Sequence, residues 1–195
     1  MSEIVDRVWF MLDSGANAGA HGGAARSPFT MLQAATVGLD GAPKVRTIVL
    51  RGASMEGGTL TFYTDVRSEK VAELRKDSRI SLVGCDLNAG IQIRLEGVAR
   101  LAASLEERLA LWNVSRPHSL IVYRAARTPG TPIALPQEAY IASASPGDSM
   151  AGFENFCVIT VDVQKIDYLD LSPDGHKRAQ FSRCSGAWQG GWVVP

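Results

Sequence analysis

Hydrophobic positions recur at helical spacing where the chain begins and at strand spacing through most of the remaining sequence. Ile4, Val5, Val8, Trp9, Met11 and Leu12 share one helical stripe, which predicts an amphipathic helix over residues 2–13. The stretch DSGANAGAHGGAARS, residues 13–27, is small and glycine-rich and reads as a flexible connection. It lacks GxxxxGK[ST] and GxGxxG, and no strand pattern precedes it, which argues against a phosphate-binding loop there.

From Pro28 the pattern changes to strands. FTMLQAATVG (29–38), KVRTIVLRG (44–52), TLTFYT (59–64), RISLVGC (79–85) and GIQIRLEGVARL (90–101) are predicted strands, rich in β-branched residues. In the last of these Ile91, Ile93 and Leu95 take one face and Gln92, Arg94 and Glu96 the other. SEKVAELRKD (68–77) reads as a helix with Ser68 as N-cap. SLEERLALWN opens with a capping box, Ser104 and Glu107, which predicts a second helix to about Asn113. Residues 115–152 are rich in Pro, Ser, Ala and Gly and give no assignment. FCVITVDVQKIDYLDL (156–171) reads as one strand and the start of another, and a closing hairpin turns near Ser185 and Gly186. Strands that neighbour one another in sequence predict one mainly β domain over residues 1–195. Its sheet is antiparallel and closed or half-closed, with flanking helices in an α+β arrangement.

Twenty basic and twenty acidic residues give a net charge of zero, which argues against bulk binding to nucleic acid or an anionic membrane. Apolar runs fall short of a membrane span. Cys85, Cys157 and Cys184 are widely spaced and odd in number, so no disulfide framework or zinc site is expected and a cytoplasmic location is. His21 and His118 have no ligand partners at metal spacing, and no metal site is expected.

The segment FYTDVRSEKVAEL raises a question of charge. Arg67 and Lys70 stand where a helix begins, although that end already carries partial positive charge and free N–H groups. A bound anion resolves this, because the N–H groups, the Ser68 hydroxyl and both cations would hold a phosphate. The alternative is two cations that point into water. If the strand carrying Arg46 and Arg51 lies beside TLTFYT, Arg46 joins the same cluster.

PKVRTIVLRG, LTFYTDVRSEKVAEL and IQIRLEGVARL, in this order, with HKRAQF…W…VP at the end, resemble the FMN-binding split barrel of pyridoxamine 5′-phosphate oxidase and its relatives. The resemblance implies a Greek-key antiparallel split barrel with FMN as cofactor and a homodimer with FMN between the subunits. It places Arg46, Ser68 and Lys70 around the FMN phosphate, with Arg67 as a displaced cation nearby. Tyr63 and Thr64 would line the cofactor, Thr47, Ile48, Val49, Leu50 and Arg51 would run along the isoalloxazine ring, and Gln92 would meet its polar edge. For an anionic substrate it points to Arg51, Trp112, Arg116, Ser119 and Arg178. Two departures stand out: Glu69 takes the place of an arginine before the helix lysine, and Gln180 that of an arginine before Phe181. The nearest candidate for that family's late flavin-side aromatic is Tyr168.

The implied activity is oxidation of an amine, such as pyridoxamine or pyridoxine phosphate, by hydride transfer to FMN, with no side-chain nucleophile. The alternatives are an NAD(P)H-dependent flavin reductase of another small molecule and a flavin- or haem-binding module without turnover.

Overall fold

A computed structural model describes residues 2–17, 27–101, 104–140 and 148–195. Residues 18–26, which hold His21 and most of the expected glycine-rich connection, lie outside the described residues, as do residues 141–147. The first helix, α1 (Ser2–Asn17), runs past the predicted end at residue 13. Gly15 explains the extension. A side chain there would collide with the backbone of Phe29, so a glycine lets the last turn of α1 lie directly on the turn Pro28–Thr30.

Eight strands come next in the chain: β1 (Met31–Val37), β2 (Pro43–Ser54), β3 (Thr59–Asp65), β4 (Arg79–Asp86), β5 (Ile91–Leu101), β6 (Phe156–Asp170), β7 (Lys177–Cys184) and β8 (Ala187–Val193). All pairings are antiparallel in the order β3-β2-β1-β4-β5-β6-β7-β8, and β3 also pairs with β6. Strands β1 to β6 thus close into a six-stranded barrel, and β7 and β8 extend the sheet from β6.

The stretch expected to be one strand and the start of another is the single strand β6. Its first half pairs with β3 and its second with β7, while β5 pairs along both. The alternation of buried positions slips at Gln164 and Lys165, both exposed, where the pairing with β5 shifts between Glu96 and Gly97. A β-bulge keeps the strand continuous where the hydrophobic pattern alone reads as an interruption. The closing hairpin turns at Ser185 and Gly186, both with positive φ, as a two-residue hairpin turn that matches the twist of the strands requires.

Leu50, Leu60, Phe62, Leu82, Ile93 and Ile159 fill the barrel, and Val8, Trp9 and Leu12 of α1 join the same core. Each such side chain contributes about 1.5–3 kcal/mol when fully buried. Helix α2 (Glu69–Lys76) lies at one end of the barrel and buries Val71 and Leu74. Helix α3 (Leu105–Val114) starts with the expected capping box. Short α4 (Pro117–Leu120) and a turn of 3-10 helix, Ile121–Arg124, come after it. A second, smaller core of Trp112, Leu120, Tyr123, Phe156 and Val158 fastens this region to β6. No described helix is long and apolar enough to cross a membrane.

Candidate functional site: a cavity at the start of helix α2

Strand β3 delivers Tyr63 and Thr64 to one wall of a cavity of about 440 Å³, and the chain turns into α2 through Asp65, Ser68 and Lys70 on the same wall. The opposite wall is the segment after α4, including Val122, Tyr123, Arg127, Thr128 and Thr131. This segment is held in place by several contacts. Trp112 Nε1 donates to the Ser149 carbonyl at 2.9 Å, Asn155 Nδ2 to the Tyr123 carbonyl at 2.9 Å, and the Arg108 guanidinium to the Phe153 and Phe156 carbonyls.

Ser68 is the residue before α2, but its hydroxyl does not cap the helix. It donates to the Asp65 carbonyl at 2.7 Å and lies 3.3 Å from the Thr64 hydroxyl. Lys70 Nζ donates to the Thr64 hydroxyl at 2.9 Å and forms no ion pair with any described carboxylate. Burial, reinforced by the nearby charge of Arg46, holds its ammonium below the ordinary lysine value.

Arg67 is not a free cation at this helix start. Its Nε and Nη2 donate to the two Asp65 carboxylate oxygens at 3.0 and 2.7 Å, and Nη2 also donates to the Ala125 carbonyl at 2.9 Å. Arg67, expected near the phosphate, is here paired with Asp65 two residues earlier, and the pair ties β3 to the opposite wall. Arg46 is also engaged, donating through Nη2 to buried Glu73 at 2.7 Å and through Nη1 to the Thr36 hydroxyl. Lys70 is left as the cation of the cluster that a ligand would neutralise.

Along β2 the side chains divide. Ile48 and Leu50 point into the core, so only their backbone is open to a ligand, while Thr47 and Arg51 are exposed and Val49 half-buried on the outer face. Arg51 forms no described ion pair, and its charge pulls against the burial that pushes the Tyr63 and Tyr123 hydroxyls up. Gln92 is half-buried on the outer face of β5, beside Cys85 of β4.

The expected substrate residues are not gathered together. Trp112 is buried in the smaller core against Tyr123, Phe153 and Phe156, because its indole ring packs α3 onto the start of β6. Arg178 is paired with Asp167 at 3.0 and 2.7 Å, and Gln180 donates to the same carboxylate at 2.9 Å. Arg116 is exposed just before α4, and Ser119 is half-buried within it. Tyr168 lies buried under the Arg7 guanidinium rather than at the cavity.

Sequence reasoning passed over Asp65, Glu73, Tyr123, Arg127 and Thr128. Two had a signal. Asp65 stands two residues before Arg67, the spacing of a local side-chain-to-backbone turn, and its Oδ1 does accept the Arg67 N–H at 2.8 Å. Glu73 stands between Val71 and Leu74 on the buried side of α2, where a carboxylate needs a partner. The cavity-lining segment had none, since its sequence carries no periodicity.

The cavity suits a flavin mononucleotide: it has the volume of a small-ligand site, aromatic and apolar walls, and a half-buried lysine with two hydroxyls at a helix start. Comparisons with known proteins agree. Residues 13–103 match the model of the pyridoxamine 5′-phosphate oxidase, FMN-binding domain. Pyridoxine/pyridoxamine 5′-phosphate oxidase 2 of Arabidopsis thaliana is 29% identical over 147 residues, 72% of this chain and 73% of that one. Pyridoxine/pyridoxamine 5′-phosphate oxidase of Cupriavidus metallidurans is 35% identical over 72 residues, a match that spans 37% of this chain and 33% of that one. A pyridoxamine 5′-phosphate oxidase-related, FMN-binding protein of Nostoc punctiforme has the same fold, with a TM-score of 0.76 at 23% identity over 99% of this chain and 96% of that one. PhzG of Burkholderia lata has a TM-score of 0.72 at 19% identity over 100% and 92%. Over residues 13–103 the chain is similar to the FMN-binding domain of the pyridoxamine 5′-phosphate oxidases, it shares the split-barrel fold of an FMN-binding protein related to them, and this similarity assigns FMN as its cofactor.

Proposed function

We propose that the protein is an FMN-dependent oxidoreductase acting on a small anionic substrate, with an amine of the pyridoxamine phosphate type as the first candidate. The carrying observation is the cavity lined by two cations that form no ion pair among the described residues, Lys70 at the start of α2 and Arg127 on the opposite wall, with Arg51 of β2 near enough for its charge to act on Tyr63 and Tyr123. Lys70, Ser68 and Thr64 hold the FMN phosphate, with Arg46 behind them, and Tyr63 and Tyr123 wall the cofactor. Thr47 and Val49 run beside the ring, and Gln92 faces its polar edge. Arg51 is the group best placed to hold the substrate's anion. Bound FMN would supply the hydride acceptor, with O₂ as the final oxidant. The chain's own task is to bind, orient and exclude water.

The outer face of β1 and β2 supports the homodimer. Met31 is 42% and Val45 67% exposed, and both stand on the same face as Val49, which leaves an apolar strip for a second copy to cover. A site completed in this way would also explain why so few substrate residues converge within one chain.

One observation favours a different substrate or an NAD(P)H-dependent reductase. Arg178, expected at an anionic substrate, and Gln180, which stands where the resemblance expects an arginine, both bond Asp167. PhzG, which shares the fold, is known in complex with tetrahydrophenazine-1-carboxylic acid, a carboxylate rather than a phosphate. The test is to load the protein with FMN, exclude oxygen, and follow bleaching of the flavin with pyridoxamine phosphate, with NADH and with NADPH. Bleaching by the amine, followed by peroxide release in air, supports the oxidase. Bleaching by a nicotinamide alone assigns the reductase, and bleaching by none removes turnover from the account.

A further inference from the structure

Glu73 is fully buried, yet none of the cofactor contacts above requires it. Its Oε2 accepts hydrogen bonds from Arg46 Nη2 at 2.7 Å and from the Thr36 hydroxyl at 2.5 Å. Thr36 in turn accepts from Arg46 Nη1, so the three groups form a closed triangle. Glu73 Oε1 has no hydrogen-bond partner among the described residues. Taking a carboxylate out of water costs several kcal/mol, and an apolar side chain in its place is often neutral or stabilising. Fold stability alone is therefore a poor reason for a glutamate between Val71 and Leu74.

The surroundings suggest the reason. Arg46 and Lys70 are close enough that the charge of Arg46 works against the Lys70 ammonium, while the charge of Glu73 works in its favour. Without Glu73 the two cations would repel each other unopposed, and Arg46, with 23% of its side chain exposed, would be freer to swing into water. The Glu73–Thr36 pair fixes that guanidinium from behind and balances its charge.

We propose that Glu73 is the positioning residue of the FMN phosphate site: it touches no part of the cofactor but holds Arg46 beside Lys70, so that the cradle stands assembled before the phosphate arrives. This rests on the placement of the phosphate at Lys70 given above. Preorganisation of this kind strengthens binding by removing the ordering cost from the binding step.

The experiment compares two probes, FMN and riboflavin, which differ by the phosphate alone. Kd for each is measured by flavin fluorescence on wild type, Glu73→Gln and Thr36→Val, alongside thermal denaturation of the ligand-free proteins. Glu73→Gln keeps the shape and removes the charge. Its Kd for FMN is expected to rise about tenfold or more, with riboflavin within about twofold, because an ionic hydrogen bond behind Arg46 is lost. Thr36→Val is expected to show the same selective loss at about threefold. If both flavins weaken together, or neither does, Glu73 serves only packing and the proposal is overturned. Should Glu73→Gln fail to fold, Thr36→Val decides alone, since unchanged preference for FMN over riboflavin there overturns it as well. Wild type that shows no such preference overturns instead the placement of the phosphate, and the positioning role with it.

Discussion

The corner where β3 turns into α2 and the outer face of β6 and β7 are both built around arginines, but they treat charge in opposite ways. At the corner, Arg67 and Arg46 are each satisfied by a carboxylate, Asp65 and Glu73, and Lys70 is left half-buried without one. On the outer face, Asp167 takes both Arg178 and Gln180 and lies 3.8 Å from Arg94, so that both of these arginines share one carboxylate. The difference separates a place with a half-buried cation that has no carboxylate partner from a place whose arginines already share one. Counting basic residues near a site cannot make that distinction; asking which of them still lacks a carboxylate does.

The comparison can be broken most forcefully at Trp112. As a core residue, Trp112→Ala should cost about 3–5 kcal/mol of stability, read as a lower denaturation midpoint. An unchanged midpoint with a raised KM would return Trp112 to the substrate site and make the α3 side functional after all.

Next comes Lys70. Replacing it with methionine removes a charge-assisted contact to the phosphate, and FMN affinity should fall by about 1.5–3 kcal/mol with riboflavin binding little changed. The ligand-free protein should meanwhile become more stable, by roughly 0.5–2 kcal/mol, as sites tuned for binding commonly do when the strained group is removed. The same lysine sets a pH dependence. Its folded pKa is lowered below the unfolded value, so between the two the unfolded chain binds more protons, and the ligand-free protein should gain stability as pH rises through that window. Thermal midpoints measured from neutral pH upward, on wild type and Lys70→Met, isolate this contribution.

What was legible in the sequence divides along the same line. Strands β2 to β5 and helix α2 could be read because alternation and capping are local, and Arg46, Ser68 and Lys70 lie within them or at their ends. The partners that decide what those residues do lie on other elements: the β1–β2 hairpin sets Thr36 beside Arg46, and the packing of α2 on β1 brings Glu73 to both. The wall at Tyr123, Arg127 and Thr128 was invisible for another reason. Its shape is set by the small core beneath it and by side-chain bonds to backbone carbonyls, and neither leaves a period in the sequence. Trp112 lies buried in the smaller core, and from sequence an aromatic beside an arginine and a serine looks the same whether it faces a ligand or the interior.

The smallest expected effect sharpens the other side of the comparison. Arg178 holds the Asp167 carboxylate below the usual carboxylate range, chiefly through their hydrogen bonds, with Gln180 assisting. A lowered folded pKa contributes stability that is present above the unfolded value and lost as pH falls through the folded one. The pair is partly exposed, so Asp167→Asn should cost no more than about 1 kcal/mol. It should also release Arg178, and titration with an anionic substrate analogue, pyridoxal phosphate, should then show tighter binding than to wild type. No change in that affinity would mean the outer face of β6 and β7 lies outside the substrate site.

The most direct test of the central claim, that the start of α2 is built for the phosphate of FMN, is to titrate the wild-type protein with FMN and with riboflavin and compare the two dissociation constants. The account expects FMN to bind at least about 100-fold more tightly, as two charge-assisted contacts to a phosphate require. Equal affinity for the two flavins would contradict it, and Lys70 would then be waiting for some other anion.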